Sequence, residues 1–298
     1  SPMSRGLGDV YKRQTKYKMV EKKGISYWFT HVVLSIGVLI IIFPVWLAFV
    51  ASTVTNEEII HPPIPLIPGG EIFKNYSRAL TESFETSVPV GLMLFNTTIV
   101  ALGIALGKIA ISFSSAFAIV FFQFPFRKIC FWLIFFTLML PVEVRILPTY
   151  EVVANIGLLN TYSGLIFPLI ASATATFLFR QFFLTVPNEI IEAAKIDGAK
   201  PMRFFIDVLI PISRVNIAAL FVIMFIFGWN QYLWPILMTT DPSMSTIIMG
   251  VDMMIGGSDD VTTWPVVMAA SILSMLPPII VVLSMQKLFI RGLTDSDK

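Results

Sequence analysis

Six apolar stretches, each long enough to cross a bilayer, constrain this chain more than any other feature. They cover roughly 29–51, 91–122, 129–148, 164–184, 215–237 and 265–290. A spanning helix needs about 20 mainly apolar residues. Hydrocarbon leaves no water to bond a free N–H or C=O, so such a segment must satisfy its own backbone as a helix. Composition agrees, because 56% of the 298 residues are hydrophobic and only 13% are charged. A soluble domain carries about 25% charged residues to cover its surface. The expected fold class is therefore an all-α integral membrane protein with six transmembrane helices. The first stretch is longer than the roughly 7–15 residues of a signal-peptide core, so it reads as an uncleaved span. The fourth, "GLIFPLIASATATFLFRQFF", is the least uniform, and its small residues suit close helix packing.

Charge placement predicts an orientation. With six spans, one side receives Lys22, Lys23, Arg127, Lys128, the basic residues from Arg180 to Arg214, and Lys287, Arg291 and Lys298. The other receives Lys74, Arg78 and Arg145. Basic residues favour the cytoplasmic side, which predicts that both termini are cytoplasmic. The opening residues 1–18 show no apolar period and read as a non-native or disordered leader, with Met19 as the natural start. A cytoplasmic tail over 19–28, a membrane domain over 29–290 and a second tail over 291–298 complete the expected organisation. Trp229, Tyr232, Trp234 and Trp264 gather near the outer ends of the last two spans, as an interfacial aromatic belt would.

The segment "VPNEIIEAAKIDGAKPMRFFIDVLIP", residues 186–211, interrupts the apolar pattern with charge. Pro187 suits a first helical turn, where a missing N–H costs nothing. A helix of about three turns then runs to Asp197, Gly198 fits a left-handed C′ position, and Pro201 opens a second short helix ending before Pro211. At about 100° per residue, Ile190, Ile191 and Ala194 share one face. Glu189, Glu192 and Lys195 share another, with Glu192 and Lys195 spaced for an i,i+3 pair. Ile196 falls among the charges, and Ala193 and Gly198 are small enough for a second backbone to approach. Two readings are open on these residues: an amphipathic pair lying on lipid headgroups, or a docking surface for a partner.

Glu192-Ala193-Ala194, then Gly198, then Val208-Leu209-Ile210-Pro211 resembles the EAA loop of bacterial ABC-importer permeases. "FPLIASATATFLFRQFFLTVPNEIIEAAKIDGA", "FGWNQYLWPILMTTD" and "SAFAIVFFQFPFR" are similar to the carbohydrate-uptake branch of that family. "TLMLPVEVRILPTYEVVANIGLLNTYSG" and "QKLFIRGLTDSDK" resemble its permeases for sn-glycerol-3-phosphate. The likeness is continuous from Met19 onward, and Val and Ile stand in the loop where the family more often has Ile and Leu. It implies a type I importer fold, with the last five spans as core and the first wrapping around it. It further implies a second homologous permease, two cytoplasmic ATPase subunits, an external solute-binding protein and the inner membrane. The loop becomes the coupling helix, with Glu192, Ala193, Ala194, Ile196, Asp197 and Gly198 as the docking residues. Maltose-type oligosaccharide permeases share most of these motifs and remain the alternative for the solute.

The sequence lacks a G-x-x-x-x-G-K-[ST] phosphate loop, a G-x-S-x-G elbow and an H-E-x-x-H pair. Cys130 is the single cysteine, and His31 and His61 lie far apart. No cofactor, metal or nucleic-acid partner is expected for this chain, and ATP and Mg belong to a partner. It is not expected to be an enzyme. A self-contained secondary transporter is the rival class, but such proteins place ionisable groups at mid-membrane. The spans are nearly free of such groups, apart from Lys108 near one edge. It sits about 26 Å along its helix from Gly91, near one boundary of a core about 30 Å thick, and reads as a snorkelling lysine. Gly103 and Gly107 form a G-x-x-x-G for close helix crossing, within this subunit or against a partner. Glu143 and Arg145 pair structurally or line a path, and Arg145 would suit a phosphate ester. Thr174 and Asn230 offer hydrogen bonds to a hydroxylated solute or to neighbouring helices. Pro277-Pro278 predicts a kink or break in the last span.

Overall fold

The structure is a computed structural model, and it describes residues 25–83, 88–137, 142–255 and 263–295; the side chains of 25, 26, 142, 143 and 287–295 lie outside that description. All regular elements among the described residues are helical. In chain order they are α1 (Ile25–Ala51), α2 (Asn56–Ile60), α3 (Ile72–Thr81), α4 (Val90–Phe121), α5 (Arg127–Phe136), α6 (Val142–Asn155) and α7 (Tyr162–Ile166). There follow α8 (Ala173–Phe183), α9 (Asn188–Ile196), α10 (Pro201–Ile212), α11 (Arg214–Trp229), α12 (Leu233–Met238), α13 (Ile247–Ile255) and α14 (Trp264–Asp295).

Contacts divide the chain into two units, Ser1–Ala48 and Phe49–Lys298. The described part of the first is the bulk of α1, where the Tyr27 and His31 rings, one turn apart, meet edge to face at 4.3 Å. In the second unit α4 is the central helix, packed against α8, α11 and α13. Its buried residues, among them Met93, Ala101 and Ala105, join Phe179, Phe225 and Trp229 in one core.

Among the described residues three helices are long and apolar enough to cross a membrane: Tyr27–Ala51, Val90–Phe121 and Trp264–Gln286. They match the first, second and sixth expected spans. The fourth is a broken one: Tyr162–Leu169 and Ala173–Phe183 meet at 48°. Pro168 closes a 3-10 turn at Phe167–Leu169, and the Ser172 hydroxyl caps α8 by accepting from the Ala175 N–H at 3.3 Å. The fifth expected span, 215–237, is also divided, because α11 ends at Trp229 and α12 restarts at Leu233. The stretch expected as the third span is occupied by α5 and α6, and residues 138–141 between them lie outside the described residues.

The G-x-x-x-G packs inside this chain. A Cβ on Gly103 would meet Ile166 Cδ1 at 2.6 Å, and one on Gly107 would meet Ile170 Cβ at 2.9 Å. The glycines thus let α4 lie against the broken fourth span. The last helix is not broken at its prolines, since α14 continues through Pro277 and Pro278. Pro278 cannot donate to the carbonyl of Ser274 four residues back. The Trp229 indole N–H reaches that carbonyl at 3.1 Å. Trp229 is accordingly a core residue, 2% exposed, and Trp234 is also buried. The expected aromatic belt is corrected for both, although Tyr232 is exposed.

A polar node fixes the far end of the bundle. Asn96 of α4 donates to the carbonyls of Ser243 (2.8 Å) and Ser245 (3.0 Å) and accepts from the Tyr162 hydroxyl at 2.6 Å. The Thr97 hydroxyl accepts from the Ile247 N–H at 2.8 Å. Together they bind the start of α13 and the loop before it to α4.

Candidate docking loop and basic cleft

The polar insert folds into α9 and α10. Pro187 is the N-cap and Asp197 the C-cap of α9, one residue inside the expected limits. Gly198 has φ +70°, as a left-handed C′ position requires. Its N–H donates to the Lys195 carbonyl at 3.0 Å and the Ala199 N–H to the Ala194 carbonyl at 2.9 Å. These two bonds make a complete Schellman motif, which fixes the angle at which α9 leaves the loop. Beyond it, α10 does not stop before Pro211. It widens into a π-helical stretch at Phe204–Leu209 and carries on to Ile212. The ring of Pro211 would clash with the carbonyl four residues earlier in a regular helix, and a wider turn relieves that clash. α10 then meets α11 at 74°.

Of the six expected docking residues, Glu192, Ala193, Ile196, Asp197 and Gly198 lie on the exposed side. Ile196 is 86% exposed, an apolar side chain standing in the open among charges. Ala194 differs: it is 9% exposed and packs inward. The ion pairs among the described residues are Lys74–Glu71, Arg78–Glu82 and Arg203–Asp207, so the expected Glu192–Lys195 pair is not formed. Behind α9 a cleft of about 390 Å³ is lined by Phe121, Phe122, Ile191, Ala194 and Phe204.

The insert is tied to the bundle by phenylalanines. Phe113 of α4 meets Phe179, Phe183 and Phe205 at 5.0, 4.9 and 5.2 Å between ring centres. Phe117 meets Phe205 at 4.8 Å, and Phe121 meets Phe204 at 5.3 Å. Edge-to-face pairs at such spacings add about 0.5–1.5 kcal/mol each beyond burial. The signal was present as Phe113, Phe117 and Phe121 at intervals of four and Phe179 and Phe183 at the same interval. It was missed because apolar spacing inside a span names no partner.

A second cleft, of about 450 Å³, opens among α4, α5, α6, α8 and α11. It brings together Arg145 and Thr174, both expected on a translocation path, with Lys108, Ser172, Thr176 and Phe227. Asn230 is elsewhere, exposed at the end of α11, and the Glu143 side chain lies outside the described residues. Lys108 does not snorkel to an open surface. It is 6% exposed, and its ammonium sits 3.5 Å from the centre of the Phe227 ring. That is a favourable cation–π placement. Among the described residues no metal-ligating cluster forms.

A bundle of apolar helices carrying a capped polar helix pair and a basic cleft fits a membrane transport subunit. The fold is that of a bacterial ABC transporter involved in the import of the acidic polysaccharide alginate, whose crystal structure has a chain that superposes with a TM-score of 0.78. That likeness covers 90% of this chain and 97% of the other at 20% identity. Residues 108–295 match the family model for the inner membrane component of binding-protein-dependent transport systems, and the chain belongs to that family. It is a multi-pass inner-membrane protein. The sn-glycerol-3-phosphate transport system permease protein UgpE of Rhizobium meliloti is 56% identical over 282 residues, 94% of this chain and 100% of that protein. The protein of that name from Agrobacterium fabrum is 55% identical over the same shares.

Proposed function

We propose that this chain is one of two permease subunits of an ATP-driven importer for sn-glycerol-3-phosphate. The observation that carries the solute is the identity of more than half over the full length of relatives named for it. In this reading a second homologous permease completes the path, a periplasmic binding protein delivers the solute, and two cytoplasmic ATPase subunits hold ATP and Mg. Both termini and the α9–α10 insert face the cytoplasm, in keeping with the basic residues on that side.

α9 is the handle. Glu192, Ala193, Ile196 and Asp197 present its exposed side to a cleft in the ATPase, while Ala194 and the Schellman turn at Gly198 hold it at a set angle. Closure of the ATPase pair on ATP moves α9 as a rigid body. The phenylalanine contacts of α10 with α4 and α8 carry that movement to the spans, and the permeases exchange inward-facing for outward-facing forms. Arg145 and Thr174 line the solute's route.

ATP-dependent uptake into liposomes holding the whole complex tests this, with labelled sn-glycerol-3-phosphate offered against maltose. Uptake of the phosphate ester alone is expected. Uptake of maltose alone would remove the solute assignment and keep the permease. Transport by this chain alone without ATP would remove both.

A further inference from the structure

Lys108 has no role in the scheme so far, yet its burial demands one. An ammonium taken out of water costs several kcal/mol unless an opposite charge or hydrogen-bond acceptors meet it. Phe227 supplies part of that compensation. Among the described residues no carboxylate lines the cleft, and none of the ion pairs involves Lys108 or Arg145. A second cation, Arg145, faces the same space from α6. The first residues of α8, Ala173 and Thr174, line it too. The N-terminal turn of a helix presents free N–H groups and the positive end of its dipole, both favourable to an anion. The Ser172 hydroxyl caps the Ala175 N–H, and Thr176 donates to the Ser172 carbonyl at 2.9 Å. The turn is therefore held in shape.

We propose that Lys108 and Arg145, with the first turn of α8 lining the same cleft, form an anion subsite that holds the phosphate group of the solute as it crosses the membrane. The inference rests on the sn-glycerol-3-phosphate reading and adds the residues that read its charge. A phosphate monoester carries close to two negative charges near neutral pH, since its second pKa is about 6. The two cations among the described lining residues match one such dianion in charge. Arg145 supplies a planar fork for two phosphate oxygens and Lys108 a point charge. The buried Lys108 ammonium, stacked on Phe227, is fixed in place. Arg145 and Thr174 are exposed in this chain, which leaves the cleft open on the side that a second permease would close.

The experiment uses the complete complex in liposomes, with Lys108→Met, Lys108→Arg, Arg145→Gln and the pair Lys108→Met with Arg145→Gln. Uptake of labelled sn-glycerol-3-phosphate and ATP hydrolysis stimulated by the loaded binding protein are measured side by side. Loss of a charge-assisted contact is expected to lower uptake about tenfold or more in each neutral variant. Lys108→Arg keeps most of the uptake, and hydrolysis by the complex continues in all of them. Wild-type uptake in Lys108→Met and Arg145→Gln overturns the subsite. So does a parallel loss of uptake and hydrolysis in both, because that is the signature of damaged assembly. If the wild type carries a different organic phosphate, the solute reading alone falls, and the same variants test the subsite with that compound. A wild type that carries only neutral sugar overturns both.

Discussion

The indole N–H of Trp229 donates to the main-chain carbonyl of Ser274 at 3.1 Å, and Ser274 lies four residues before Pro278. The proline removes the donor that this carbonyl would have in a regular helix, and a side chain from α11 replaces it. The bond serves the carbonyl that Pro278 leaves without a helical donor, and it ties α11 to α14 at that level. Trp229→Phe should keep most of the packing and orphan the carbonyl, a loss of about 1–3 kcal/mol. In a Pro278→Ala background the restored N–H serves Ser274, so the same change should cost much less. A double-mutant cycle on thermal unfolding in detergent reads the difference. Equal losses in both backgrounds would mean that Trp229 only fills space.

Gly198 separates backbone demand from steric demand. A Cβ there would meet nothing within 4 Å, yet φ is +70°. Substitution is therefore penalised by conformation alone, at about 1–2 kcal/mol for an ordinary side chain. Asparagine visits this region more readily than alanine, and a β-branched residue least readily. Uptake by the complex should fall in the order Gly198→Asn, Gly198→Ala, Gly198→Val, with recovery of the ATPase subunit falling alongside. If valine were tolerated as well as asparagine, the left-handed turn would not be what sets the angle of α9.

The contact of α4 with the broken fourth span gives a third test. A Cβ on Gly103 would press on the far end of Ile166, which can swing aside. One on Gly107 would press on Ile170 close to its backbone. Gly107→Ala should therefore destabilise more than Gly103→Ala, within the range of about 1–3 kcal/mol for overpacking. Ile170→Ala should recover part of the loss in the Gly107→Ala protein. Absence of any recovery would place the close approach somewhere other than Ile170.

How far these features could be read from sequence follows from how local they are. The Schellman turn depends on a glycine after an amphipathic turn, and α4 on one unbroken apolar run, so both were legible. The breaks in the fourth and fifth expected spans were not. Pro168 lies within an apolar stretch, and α11 ends at Asn230 with no proline or glycine at that position to mark it. The belt assignment failed for Trp229 and Trp234 because position near the end of a span looks the same whether a ring faces lipid or core. Among the docking residues, Ala194 could be set on the apolar face by periodicity, but the family motif grouped it with exposed neighbours. The basic cleft was the least legible feature. Lys108, Arg145 and Thr174 come from three helices, and only the packing of those helices makes them neighbours. Distance along one helix made Lys108 a boundary residue, whereas the fold buries it over Phe227.

Asn96 offers the sharpest stability test, because its two ends do different work. Its amide nitrogen donates to two carbonyls, and its oxygen accepts from Tyr162. Tyr162→Phe removes one bond and should cost about 0.5–1.5 kcal/mol. Asn96→Ala leaves the Ser243 and Ser245 carbonyls without their donor, at about 1–3 kcal/mol for each group that water fails to reach. Asn96→Asp is nearly the same shape, keeps the acceptor for Tyr162, and turns a donor into a negative charge facing two carbonyl oxygens. At neutral pH it should be the most destabilising of the three, and acidification that protonates the new carboxyl should restore part of the loss. Thermal unfolding of the purified complex, followed at pH 5 and pH 7.5, orders the variants. An Asn96→Asp protein as stable as the wild type at both pH values would mean that the node is open to water and does not hold α13 to α4.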